Sequence, residues 1–190
     1  FGRNADSPIV VLASNSPADT FDVAIEAVRI ATKYMTPVMV LTDGYIANAA
    51  EPWRLPDVDA IEPFPVEFRT DPEGFHPFLR DEKTLARNGA IPGTPGLEHR
   101  IGGLEKGEDG GVSYDPDNHE EMSHLRAQKV AGIAKSLDPI EIQGEPEGDL
   151  LVIGWGGTYG AISSAATNLR DEGFSVSNIH LRHLNPLPND

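Results

Sequence analysis

Two short stretches concentrate residue types able to do chemistry. In Gly96-Leu97-Glu98-His99-Arg100-Ile101-Gly102-Gly103, an imidazole and a guanidinium sit together between glycines that permit close backbone approach. Arg100 can clamp a carboxylate or phosphate bidentately. Against that stands an intersubunit salt bridge or loop anchor, with Glu98, Glu105 and Glu108 as acidic neighbours. In Gly154-Trp155-Gly156-Gly157-Thr158-Tyr159-Gly160 a strand gives way to a helix, a junction that can cradle phosphate. Gly154 and Gly156 open a dinucleotide fingerprint, but Tyr159 occupies the place of its third glycine and no acidic residue closes the next strand at Leu181. Gly154, Gly156, Gly157 and Gly160 therefore read as a tight structural turn in preference to an anion site.

Asp43 ends an apolar run, at the carboxyl edge where open α/β sheets bind ligands. Beside Gly44 it is also an ordinary turn former, and that reading is preferred. The histidines at 76, 99, 119, 124, 180 and 183 form no metal set: His119 and His124 diverge on a helix, and His180 and His183 fall on opposite faces of a strand. Glu105, Glu108, Asp109, Asp115 and Asp117 resemble a calcium loop in composition but lack its ligand spacing, so a solvated surface turn is expected.

Composition narrows the function classes. Thirty acidic against 15 basic residues give a net charge of −15, which repels phosphate backbones and anionic lipid; nucleic acid is no partner. With no cysteine the chain can supply neither disulfides nor thiolate ligands to zinc or an iron-sulfur cluster. Its apolar runs fall far short of the roughly 20 residues of a membrane span. The first residue is not Met, an apolar run begins by residue 9, and Asn185-Pro186-Leu187-Pro188 follows a strand with no closing helix. Both ends read as cuts in a longer polypeptide.

These residues must be positioned by α/β units. Residues 9–13 and 37–41 read as strands buried on both faces, joined by a helix from about Ala18 with Ser16 as cap and Pro17 in its first turn. Phe21, Ala24, Ile25, Val28, Ala31 and Met35 fall on one face of that helix. From 44 to about 118 periodicity nearly vanishes, and eight of 16 prolines lie between Pro52 and Pro95. Residues 66–68 are the one strand candidate there. Such a stretch is expected to be a functional arm held by a partner, because Trp53, Phe64, Phe68, Phe75 and Phe78 give it too much apolar area to lie loose. Asn118 with Glu121 forms a capping box, predicting a helix from residue 119 whose apolar positions are Met122, Leu125, Val130, Ile133 and Leu137. Residues 137–149 read as a linker. A second unit follows: a buried strand over 150–153, a helix capped by Thr158 with Ile162, Ala165, Ala166 and Leu169 inward and ended by Gly173, and a strand over 176–181.

Glu51-Pro52-Trp53, the GLEHRIGGLEK and SYDPDNHE stretches, and the GWGGTYG turn together resemble the alpha subunit of 2-oxoglutarate:ferredoxin oxidoreductases, in collinear order along the whole chain. The resemblance implies a parallel-sheet thiamine-diphosphate-enzyme fold. Residues 1–136 would be the C-terminal part of a pyrimidine-binding domain with the arm at about 44–118, 137–149 a linker, and 150–190 the truncated start of a transketolase C-terminal-like domain. It further implies oxidative decarboxylation of a 2-oxoacid, favoured as 2-oxoglutarate going to succinyl-CoA, using thiamine diphosphate, magnesium, coenzyme A and an iron-sulfur cluster, with ferredoxin as acceptor. The diphosphate, metal and cluster would belong to a beta subunit of a cytoplasmic hetero-oligomer. Catalytic residues are expected upstream of residue 1 and none in this segment, which would supply scaffold and interface, with His99, Arg100, Gly102, Gly103, Asp43 and Trp53 as interface or ligand candidates. Gly2-Arg3-Asn4-Ala5-Asp6 departs from the Gly, His or Asn, Gly, acidic pattern common among relatives. The alternatives are a non-catalytic α/β assembly module on the same scaffold, or the same chemistry on pyruvate or another 2-oxoacid.

Overall fold

The computed structural model describes residues 7–64 and 66–189, so the departure at residues 2–6 lies outside the described residues. Two three-stranded sheets organise the chain. In the first, β1 (Val10–Ala13) pairs in parallel with β2 (Val38–Leu41) through the crossover helix α1 (Asp19–Tyr34). In the second, β4 (Leu150–Trp155) pairs in parallel with β5 (Val176–Leu181) through α4 (Tyr159–Asp171). Both are βαβ units of the kind the alternating apolar runs predict. The linker contributes a short strand of its own, β3 (Ile142–Gln143), antiparallel to β5. After β5 the chain turns back, and β6 (His183–Asn185) lies antiparallel on β1. Nothing in a three-residue polar strand announces that pairing.

The main core fills the space between β1, α1 and α3 (Pro116–Ile133). Val10 and Leu12 meet Val23, Ala27, Ile30 and Tyr34 of α1 and Val130 and Ile133 of α3. The buried face of α1 is thus not the expected one, since Ala24 and Val28 point to solvent. The helix carries apolar residues on two stripes, and the arm covers part of the second. Phe21 packs against Trp53, with ring centroids 5.6 Å apart. Arg29 donates to the carbonyls of Glu62 (2.8 Å) and Pro63 (3.0 Å) and lies over the Phe64 ring.

Several other expectations change. The carboxylate of Asp115, not the side chain of Asn118, opens α3 by accepting from the Asp117 amide, with Pro116 in the first turn. Ser16 lies outside α1 but its hydroxyl accepts from the Asp19 amide, a weak capping contact of 3.2 Å. Thr158 does not cap α4; its hydroxyl donates to the Trp155 carbonyl, inside the one-turn 3₁₀ helix that leads into α4. Residues 66–68 form no strand. The strand β4 is largely exposed, and so is Met39 of β2, because each lies at the edge of its sheet in this chain. On α4, Ala166 is buried while Ala165 faces solvent. Over the arm, the regular elements are α2 (Gly44–Asn48), a 3₁₀ turn at Val58–Ala60 and two isolated bridges, Arg80 with Arg87 and Lys106 with Val112.

Candidate functional site

The sequence candidates fall into two places. The first is the carboxyl edge of the β1–β2 sheet. Asp43 ends β2 and caps α2, its Oδ1 accepting from the Ile46 amide at 2.8 Å. Its Oδ2 accepts at 2.8 Å from the amide of Gly157, 114 residues away. The carboxyl of Asp43 is lowered from its ordinary value by the amides of Ile46, Gly157 and Tyr45, so it serves as a fixed acceptor. The glycine turn is shaped for this tie. A Cβ on Gly157 would lie 2.5 Å from the Asp43 carboxylate, Gly156 has φ +65°, and a Cβ on Gly154 would lie 2.3 Å from Ile162 Cδ1. Gly160 stands in open space. Asp43 and the turn, two separate features of the sequence, therefore form one joint between the two βαβ units.

Neighbouring polar groups at this edge are mostly committed. Glu51 accepts from the Ser16 hydroxyl at 2.6 Å and from the Ala18 amide, which closes the start of α1 onto the arm beside Trp53. Arg182 bridges Asp19 and Glu26, and His183 Nε2 lies 2.5 Å from Glu26. Burial pushes the Glu26 carboxyl up, but its hydrogen bond to His183 and the charges of His183 and Arg182 outweigh this, so its pKa falls. The hydroxyl of Ser14, where β1 ends, is buried without a partner among the described residues. His180 stands edge-on to the Tyr159 ring, 5.1 Å between centroids, and burial pushes its pKa down.

The second place is the arm turn. The His99 ring packs on Phe75, and its Nδ1 lies 2.8 Å from the Leu97 carbonyl. Gly102 and Gly103 curl round the side chain of Lys106, which is 1% exposed and donates to the carbonyls of Gly102 (3.1 Å) and Leu104 (2.7 Å). The close approach expected over those glycines is not made among the described residues: a Cβ on either would meet none of their atoms within 4 Å. Arg100 is exposed, and none of its three acidic neighbours pairs with it among the described residues. Glu105 is instead held by Arg126 and His119, both at 2.9 Å. Burial raises the Glu105 carboxyl, but those two hydrogen bonds and charges bring its pKa below the ordinary value. It is a structural hub, not a residue of a solvated turn. The only sequence signal for it is the spacing of His119 and Arg126, two turns apart on one helix.

Among the described residues no group of three or more His, Cys, Asp or Glu side chains is placed to hold a metal, and no helix is long and apolar enough to cross a membrane. Without cysteine, the donor set of an iron-sulfur cluster does not exist in this chain.

A family profile described as pyruvate flavodoxin/ferredoxin oxidoreductase, thiamine diphosphate-binding, matches residues 1–112. The chain is 53% identical over 191 aligned residues to the 2-oxoglutarate oxidoreductase subunit KorA of Mycobacterium tuberculosis, covering 99% of this chain and 29% of that one. It is 29% identical to a 2-oxoglutarate synthase subunit KorA of Archaeoglobus fulgidus, covering 47% of it. A solved 2-oxoglutarate:ferredoxin oxidoreductase from Magnetococcus marinus, with 2-oxoglutarate, coenzyme A and succinyl-CoA bound, superposes with a TM-score of 0.88 at 30% identity, over 97% of this chain and 32% of that one. The chain thus spans less than half the length of these relatives.

Proposed function

The chain belongs to the thiamine-diphosphate-binding family of pyruvate flavodoxin/ferredoxin oxidoreductases, and on that premise we propose that it is part of the alpha subunit of a 2-oxoglutarate:ferredoxin oxidoreductase. The whole protein would convert 2-oxoglutarate and coenzyme A to succinyl-CoA and carbon dioxide, passing two electrons to ferredoxin, with thiamine diphosphate as the cofactor that carries the decarboxylation. The reading is supported above all by a likeness of 0.88 over 97% of the chain to an enzyme solved with that substrate and product. Residues 1–136 are read as the later part of the pyrimidine-binding domain, 137–149 as the connection, and 150–190 as the opening of a transketolase C-terminal-like domain. Magnesium finds no donor set among the described residues and the chain has no cysteine for an iron-sulfur cluster, so both are assigned to a beta subunit, and no chemical step is routed through a residue of this chain.

What the segment would supply is scaffold and subunit interface. The arm supports this reading, with Trp53, Leu55, Val58, Phe68, Ile101 and Leu104 exposed along a stretch with little regular structure. Arg100, unpaired among the described residues and next to open glycines, is the arm's strongest candidate to meet an acidic group of the partner or the substrate. Hydrogen exchange on the alpha chain, alone and with its beta chain, tests the interface. Residues 52–68 and 99–104 are expected to gain protection in the complex, and unchanged exchange there refutes it. The activity is tested by dye reduction, which should need both chains and 2-oxoglutarate.

A further inference from the structure

A cavity of about 460 Å³ opens between the C-terminal end of α1, helix α3 and the arm. Its cationic lining is unusual for a chain of net charge −15. An antiparallel bridge pairs the backbones of Arg80 and Arg87 on the arm, and both residues line the cavity. Lys129 approaches from α3 and is only 7% exposed. Arg80 donates through Nη1 to the Leu85 carbonyl at 3.1 Å and through Nη2 to Met122 Sδ at 3.8 Å, while its Nε is buried with no partner among the described residues. Arg87 lies 4.5 Å from the Phe78 ring centroid. No carboxylate pairs with Arg80, Arg87 or Lys129 among the described residues.

Other charges facing the space are already used. Glu105 is engaged by Arg126 and His119, and Lys106 by two carbonyls; the end of α1 brings Met35 and Thr36. Burying like charges without a counter-charge opposes folding. The strain is visible in Lys129, whose pKa is lowered to about 7 by burial and by the charges of Arg80 and Arg87.

We propose that this cavity is a phosphate site, in which Arg80, Arg87 and Lys129 together bind one dianionic phosphate group. The unpartnered Nε of Arg80 offers a directional donor, Arg87 a second guanidinium, and Lys129 a point charge. The group can arrive as free phosphate or as part of a phosphorylated compound, and the two share this chemistry.

The test uses the intact protein with its partner chain and sulfate as the probe, because sulfate does not titrate near neutrality. Titration calorimetry at pH 8 and 0.15 M salt, in two buffers of different ionisation heat, is expected to show saturable binding with uptake of about one proton as Lys129 becomes charged. Lys129→Met should abolish the uptake and, like Arg87→Gln, weaken binding roughly tenfold or more. Displacement of sulfate by inorganic phosphate alone would identify a free anion, and displacement by a nucleoside diphosphate as well would identify a phosphorylated compound. The proposal is overturned by absence of saturable binding, by binding without proton uptake in the unaltered protein, or by affinity unchanged in both variants.

Discussion

Seating of α3 on the sheet rests on Ile133, which is 0% exposed among Val10, Leu12, Val23 and Tyr34. Ile133→Ala deletes three buried carbons, worth about 2.4 kcal/mol at about 0.8 per methylene. The neighbours sit on a strand and on a helix crossed by the arm, so they collapse only partly; a residual void of roughly 40 Å³ adds about 1 kcal/mol. The total, near 3.4 kcal/mol, corresponds to roughly 300-fold in an opening equilibrium. Hydrogen exchange of the β1 amides reads that equilibrium locally, without requiring the whole protein to unfold in two states. Ile101→Ala is the matched control, the same atoms removed from an arm residue 78% exposed, and should change exchange by less than about threefold. Equal acceleration in both variants, or none in Ile133→Ala, would mean that α3 is not packed against β1 and that the core described here is wrong.

Gly157→Ala places a methyl 2.5 Å from the Asp43 carboxylate and should cost about 1–3 kcal/mol by overpacking, seen as a fall in melting temperature, whereas Gly160→Ala, in open space, should cost little. Lys129 binds its proton more weakly folded than unfolded, so between about pH 7 and its unfolded value the unfolded chain carries the extra proton. Stability should therefore rise over that interval in low-salt, anion-free buffer, and Lys129→Met should flatten the rise. Glu26 has the same sign in a more acidic interval: its folded pKa is depressed, so its contribution is complete above the unfolded carboxylate value and is lost as pH falls through the folded one. Glu26→Gln should make acid unfolding less steep below about pH 4. Arg100→Gln, at an exposed position, should leave the melting temperature nearly unchanged while lowering turnover or weakening assembly with the beta chain; if neither moves, Arg100 has no role at the interface or the substrate.

Much of the architecture was legible in the order of the residues. Continuous apolar runs marked β1, β2 and β4, and the helices between the strands carry their own stop signals, as with Gly173 at φ +91° after α4. The faces were harder. Residues at 21, 25 and 28 of α1 make as good a helical stripe as 23, 27, 30 and 34, and what decides between them is the arm passing over Phe21 and Arg29, a contact 30 or more residues distant. Pairing of β6 with β1 and the tie from Asp43 to Gly157 are longer still in sequence, and neither leaves a local pattern. The cation cluster did leave one. Arg126 and Lys129 interrupt the stripe from Met122 to Ile133 at its own spacing, where a continuous core would place apolar residues.

The most direct test of the account is methyl viologen reduction by the intact alpha chain co-expressed with its beta chain, loaded with thiamine diphosphate, magnesium and cluster, and given coenzyme A with a panel of 2-oxoacids. Reduction that depends on coenzyme A, favours 2-oxoglutarate and is absent from either chain alone is the predicted result. No reduction with any 2-oxoacid from a fully loaded complex would contradict it and leave the chain as an assembly scaffold.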